Sequence, residues 1–141
     1  MPDDLASANV NRTYSLAATC VAIFTFTMIF LYPRYLNGEA NALLFQATLV
    51  VMGVATFSYV FSAFHYYGAS MGERNGDAER ATYARRGDRL WLLGTTLLFL
   101  CPSLVLFTIG LYLVGAVWLV LWLSYLLFVT RYFPRVQTDK G

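Results

Sequence analysis

Leu90–Thr130, LWLLGTTLLFLCPSLVLFTIGLYLVGAVWLVLWLSYLLFVT, holds no Asp, Glu, Lys or Arg. As a single helix this stretch would extend ~60 Å, twice the ~30 Å hydrocarbon core of a bilayer. It must therefore fold back on itself, and Gly110 and Gly115 bracket the turn. Two membrane spans follow, over about 90–110 and 115–133. Pro102 falls near the middle of the first and predicts a kink. Trp91 marks the entry of this pair, Tyr132 and Phe133 mark its exit, and Pro134 predicts the end of the last helix.

Upstream lies a second pair of apolar spans, on the same helix-pair plan but without an internal repeat of sequence. A span over 13–32 is predicted, with Asn11 or Thr13 as its cap and Pro33 as its stop. Tyr32 and Tyr35 flank Arg34 and read as an interfacial aromatic anchor. Asn37-Gly38 is a turn signal, and Asn41 is placed to cap a second span over 42–67 that Gly68 closes. This span is longer than the hydrocarbon needs, so tilt or projection beyond the membrane is expected. The loop 68–89 opens with flexible Gly72 and Asn75-Gly76. Asp77 then predicts a short amphipathic surface helix, Ala78 to Arg86, closed by Gly87. The expected fold is all-α, a four-helix transmembrane bundle occupying residues 1–141 as one domain.

Charge placement sets the threading. Nine of the ten basic residues fall on one side of the four spans. Arg12 precedes the first span, and Arg74, Arg80, Arg85, Arg86 and Arg89 lie in the central loop. Arg131, Arg135 and Lys140 follow the last span, and only Arg34 falls opposite. Short loops rich in Lys and Arg stay cytoplasmic, so both termini and the central loop are expected to face the cytoplasm, with the chain in the plasma (inner) membrane.

The chain has 141 residues and is 58% hydrophobic but only 13% charged. Soluble domains carry roughly 25% charged residues, so half the usual charge is missing. The net charge of +2 is small, and its basic excess reads as topology and contact with anionic lipid rather than nucleic-acid binding. Arg74, Arg80, Arg85, Arg86 and Arg89 are the candidates for headgroup contact. Asp3 and Asp4 precede the first span where a cleavable signal would want positive charge. Cys20 and Cys101 lie inside apolar spans without a CxxC motif and read as small hydrophobes.

Helical spacing assigns faces. Ser15, Ala18, Thr19, Ala22 and Thr25 share one side of the first span, on which Phe26 intrudes near the external end. Leu16, Ile23, Phe24, Leu31 and Cys20 share the other. On the second span Thr48, Ala55, Ser58, Ser62 and His65 share a face. Small residues let helix backbones approach closely in lipid. These stripes therefore read either as a packing seam between the first two spans or as the lining of a narrow polar path. The seam is preferred, since packing accounts for the alanines as well as the hydroxyls. On the fourth span Trp118, Trp122, Tyr125 and Val129 form a bulky face toward lipid or a neighbouring subunit. The Trp122 N–H is expected to seek a partner.

Several functions lack their residues. No Asp, Glu or Lys falls within the four predicted spans, and of the arginines only Arg131 lies there, at the end of the last, which argues against proton-coupled or cation-coupled transport. A retinal protein needs a lysine in a span, and Lys140 lies in the tail. A bis-histidine haem needs two histidines, and His65 is alone. No cofactor and no metal site is expected. His65 near Ser58 and Ser62 lacks an acid within the span to orient it. The expected role is a small non-catalytic accessory or assembly subunit that binds lipid and, as a homo-oligomer or with other membrane proteins, further spans. The alternatives are a homo-oligomeric passive channel or facilitator lined by spans one and two, and, more weakly, a lipid-modifying enzyme using His65 and the loop arginines.

Overall fold

The computed structural model describes the backbone of residues 2–71 and 76–138, and the side chains of 7–71, 76 and 78–131. Four helices follow one another: α1 (Pro2–Leu36), α2 (Ala42–Ser70), α3 (Asp77–Thr108) and α4 (Tyr112–Thr138). All four are long and apolar enough to cross a membrane. Each packs on its neighbour in sequence: α1 on α2, α2 on α3, α3 on α4. The α2–α3 interface is the most extensive, and α4 is the least buried helix. Short connections force antiparallel neighbours. The start of α1, the end of α2, the start of α3 and the end of α4 therefore share what we call the terminal end.

The turns fall where the sequence places them. Gly38 (φ +73°) closes the α1–α2 turn and Gly110 (φ +80°) the α3–α4 turn, each in the left-handed region that favours glycine. The Asn41 side chain caps α2 by accepting from Leu44 N–H at 3.1 Å. The two turns are tied together, with Asn41 N–H donating to Thr108 C=O at 3.2 Å.

Several helix ends differ from expectation, mostly in the direction of longer helices, although α3 stops at Thr108, short of the expected 110. Asn11 and Thr13 do not start α1. Thr13 lies inside the helix and donates back to Asn9 C=O at 2.6 Å. Pro2-Asp3-Asp4 is itself a helix-start sequence, proline at the first position followed by acid in the first turn. Nor does Pro33 end α1, which runs one further turn to Leu36. Likewise α4 continues past Pro134 to Thr138, and α2 passes Gly68 to end at Ser70. The surface helix expected over Ala78–Arg86 is not separate, because α3 runs unbroken from Asp77 through Gly87 to Thr108.

Gly87 is a contact rather than a stop. A Cβ there would lie 3.0 Å from Tyr66 Cε1. Gly94, two turns on, meets Tyr59 and the Ala55 carbonyl, both at 3.2 Å from a hypothetical Cβ. Gly115, expected at the turn, lies within α4, where a Cβ would come 2.9 Å from the Phe107 ring. Beside two of these glycines a buried serine crosses to the facing backbone. Ser62 Oγ donates to Gly87 C=O at 2.7 Å, and Ser103 Oγ donates to Gly115 C=O at 2.9 Å.

The core is therefore small and mixed, with Ala55, Ala63, Phe45 and Met52 beside serines and threonines. Among the described residues its largest fully buried side chains are Tyr59, Thr13, Thr48, Thr108, Cys20, Ser62 and Ser103. Most of the large apolar groups point outward, among them Phe26, Ile29, Phe30, Val50, Phe57, Phe61, Leu127 and Phe128. That inversion suits a hydrocarbon surround, where burying leucine gains nothing and backbone approach is what holds helices together. Every buried side-chain polar atom among the described residues has a hydrogen-bond partner.

The close approach at Gly94 has a direct test. Gly94→Ala is expected to cost about 1–3 kcal/mol by overpacking. Gly53→Ala should be neutral or slightly stabilising, because its Cβ meets nothing within 4 Å. Equal thermal unfolding midpoints in detergent for the two variants would contradict the packing described.

Candidate functional site

The polar chemistry of the molecule gathers at the terminal end, between α1, α2 and α3. Arg12 on α1 lies twenty residues before Tyr32, so the helix carries it ~30 Å from the aromatic anchor, one hydrocarbon thickness. On α3, Gly87, Asp88 and Trp91 lie within a single turn and face α1 and the end of α2 together. The Arg12 guanidinium sits over the Trp91 ring, 5.0 Å from its centroid. Asp88 accepts a 2.6 Å hydrogen bond from Tyr66 Oη. Asn9, Arg12, Thr13, Tyr66, Asp88 and Trp91 line one crevice of about 160 Å³.

Arg12 and Asp88 share this crevice without pairing, and among the described residues neither makes an ion pair. Each is held by an aromatic residue instead. Deeper in the same seam, Tyr59 Oη donates to Thr95 Oγ1 at 3.0 Å, and Thr95 Oγ1 donates in turn to Trp91 C=O at 2.8 Å. Sequence reasoning missed this site because Asp88 was assigned to the loop 68–89. The signal was the spacing Gly87, Asp88, Trp91, which gathers on one side only if the loop is helical.

The predicted stripes divide sharply. Thr48, Ala55, Ser58 and Ser62 are 0–5% exposed and form the seam of α2 with its neighbours. His65 is half-buried, its Nδ1 is 2.8 Å from Phe61 C=O, and its ring is 6.2 Å from that of Tyr83. By contrast Ser15, Ala18, Thr19, Ala22 and Thr25 are all exposed. Within one chain they do not form the seam with α2. α1 turns its other face inward, burying Thr13, Ala17, Cys20, Thr27 and Leu31. Cys20 packs with Ala17 and Tyr59, and neither it nor Cys101 is in a disulfide.

Of the arginines proposed for headgroup contact, Arg74 lies outside the described residues. Arg80 Nε donates to Ala69 C=O at 3.2 Å and so satisfies a carbonyl in the last turn of α2. Arg85 is exposed and donates to Ala81 C=O at 3.3 Å. Arg86 lines a shallow groove on the outer side of α3 with Ala78, Glu79, Thr82 and Tyr83, and Arg89 is exposed. On the α3–α4 side the Trp122 indole finds its partner, donating to Thr96 C=O at 2.8 Å. Trp118, Leu121, Trp122, Tyr125 and Phe99 line an apolar groove of about 210 Å³. Among the described residues no group of three His, Cys, Asp or Glu comes together.

Comparison with family models, with curated proteins and with solved structures found no match to this chain.

Tyr66 has two jobs that substitution separates. Tyr66→Phe keeps the ring over Gly87 and removes only the hydroxyl on Asp88, with an expected loss of about 1 kcal/mol. Tyr66→Ala also removes the buried ring and should cost about 3 kcal/mol or more. Thermal unfolding in detergent reads both, and equal losses would show that the ring does not pack as described.

Proposed function

We propose that this chain is a non-catalytic, multi-pass membrane subunit that assembles with other transmembrane helices through the outward face of α1. One observation carries the reading. Ser15, Ala18, Thr19, Ala22 and Thr25 form a continuous small face that is exposed, on a helix whose other exposed positions include Val21, Ile23, Phe26, Ile29 and Phe30. A small face facing lipid gives up dispersion contacts that a second helix would restore by approaching closely. Its threonines are already satisfied. Thr19 Oγ1 donates to Ser15 C=O and Thr25 Oγ1 to Val21 C=O, both at 2.9 Å. Two of its three hydroxyls therefore need no water to complete a hydrogen bond, which favours a dry helix contact over a wet path.

The second reading, a passive channel, keeps one support: the same face carries three hydroxyl groups, on Ser15, Thr19 and Thr25. The α2 stripe is packed, so such a pore would form between copies around α1. Native mass spectrometry in mild detergent distinguishes the two. The proposal expects an oligomer, or a complex with another membrane protein, that Ala18→Leu with Ala22→Leu dissociates while leaving the unfolding midpoint near that of the unmodified chain. A solitary monomer would sink the proposal. Ion flux in liposomes that Thr25→Leu abolishes would replace it with the channel.

The orientation belongs to the same proposal. The terminal end carries nearly all the basic charge and is assigned to the cytoplasm. A cysteine introduced as Arg85→Cys should resist membrane-impermeant thiol reagents in intact cells and react once the cells are opened. The native thiols, both buried, should contribute little background. Labelling in intact cells would reverse the threading.

A further inference from the structure

The crevice at the terminal end holds one positive and one negative group, both exposed, that make no ion pair with each other. Arg12, always charged, rests on the face of Trp91. Asp88 has one carboxylate oxygen engaged by Tyr66 Oη, and its second oxygen has no partner among the described residues. Opposite charges on mobile side chains at a shared surface ordinarily meet. Here the aromatic partners hold them apart on the walls of a single cavity.

We infer that this crevice binds the headgroup of a zwitterionic phospholipid, a phosphoethanolamine, with Arg12 on the phosphate and Asp88 on the ammonium. Four features of the site fit that occupant. The volume of about 160 Å³ is close to the ~150 Å³ that admits a benzene-sized molecule, more than a single ion needs. The depth is right, since Arg12 lies one hydrocarbon thickness from the Tyr32 anchor. The guanidinium fork suits a phosphate, and its N–H groups make no hydrogen bond among the described residues. The Asn9 side chain lines the same wall and offers a neutral amide. The carboxylate then selects among headgroups. A primary ammonium brings three N–H donors to the open oxygen of Asp88. A trimethylammonium brings none and would need a free aromatic face, and the Trp91 face already carries Arg12. A purely anionic headgroup would meet repulsion from Asp88. The inference rests on the membrane placement of the helices and not on the assembly role of α1, so either can fail alone.

Native mass spectrometry of the full chain tests it, with phosphatidylethanolamine, phosphatidylcholine and phosphatidylglycerol offered in equal amounts. Phosphatidylethanolamine should be retained about tenfold over phosphatidylcholine, the worth of a charge-assisted hydrogen bond. Asp88→Asn, which can still accept from Tyr66, should bring the two to parity. Arg12→Gln should weaken retention of both by about tenfold. Should either variant fail to fold, the selectivity of the unmodified chain decides alone. Equal retention of phosphatidylethanolamine and phosphatidylcholine by that chain would overturn the inference, as would preferred retention of phosphatidylglycerol. Displacement of the bound lipid by free phosphoethanolamine at equal concentration would show a soluble occupant instead, and would overturn the lipid assignment.

Discussion

Close approach at three glycines, of an aromatic ring at Gly87 and Gly115 and of a ring and the Ala55 carbonyl at Gly94, is the constraint on which this fold depends. Gly87 and Gly94 let α3 come up to α2, and Gly115 lets α4 come up to α3. At two of these contacts a serine hydroxyl crosses to the glycine carbonyl. In water a bundle is driven together by burying leucine and phenylalanine. In hydrocarbon that gain vanishes, and van der Waals contact between backbones together with interhelical hydrogen bonds must suffice. The aromatic rings of Tyr66, Tyr59 and Phe107 lie against the glycines and fill the space that the missing side chains leave. A methyl group at any of the three would push on one of these rings, so helix spacing and ring position are set together.

The same constraint explains what is buried. Thr13, Thr48, Ser58 and Thr108 each return their hydroxyl to a carbonyl one turn back on their own helix. This makes them small, nearly apolar surfaces. Among the described residues Ser62, Ser103, Tyr59, Tyr66, Arg80 and Trp122 use their donors to reach another helix. Polar residues inside this bundle are thus of two kinds, those that close on themselves to allow contact and those that join helices.

Spans, turns and the polar face of α2 were legible in the sequence, because each rests on a strong local rule. An uncharged run too long for one crossing must turn, and Gly110 and Asn37-Gly38 mark where. Helix ends were not legible. Hydropathy reports where lipid is, not where helix is, and Arg80, Arg85, Arg86 and Arg89 continue α3 well outside its apolar stretch. The separate surface helix was an artefact of reading Gly87 as punctuation, when its role is to admit the Tyr66 ring. The inward face of α1 was also not legible. Periodicity divides the helix into two sides, and both carry small residues: Ala17, Cys20 and Thr27 on one, Ala18, Ala22 and Thr25 on the other. Nothing local says which of them meets α2. The crevice at Arg12 escaped for a related reason, since Asp88 joins it only when the loop is recognised as helix.

α1 and α4 are the two outer helices, and their surfaces differ in kind. α4 presents Val117, Val120, Leu121, Leu127 and Phe128, long side chains that flexible lipid tails can wrap. Its attachment to α3 runs through one close glycine contact and the Trp122 indole, a narrow seam that leaves the rest of the helix to lipid. α1 shows lipid a mixed surface, with Ser15, Ala18, Thr19, Ala22 and Thr25 along one strip, large groups such as Val21, Ile23 and Phe30 to either side, and Phe26 intruding near its far end. Fluid chains pack poorly against a strip of methyl and hydroxyl groups flanked by phenylalanine, whereas the ridge of another helix fits such a strip. The internal seams of this protein already use that geometry at Ser62 and Gly87. A chain that holds its own helices together by small-residue contact, and leaves one further surface of the same character open, is built by the same physics on its outside as on its inside.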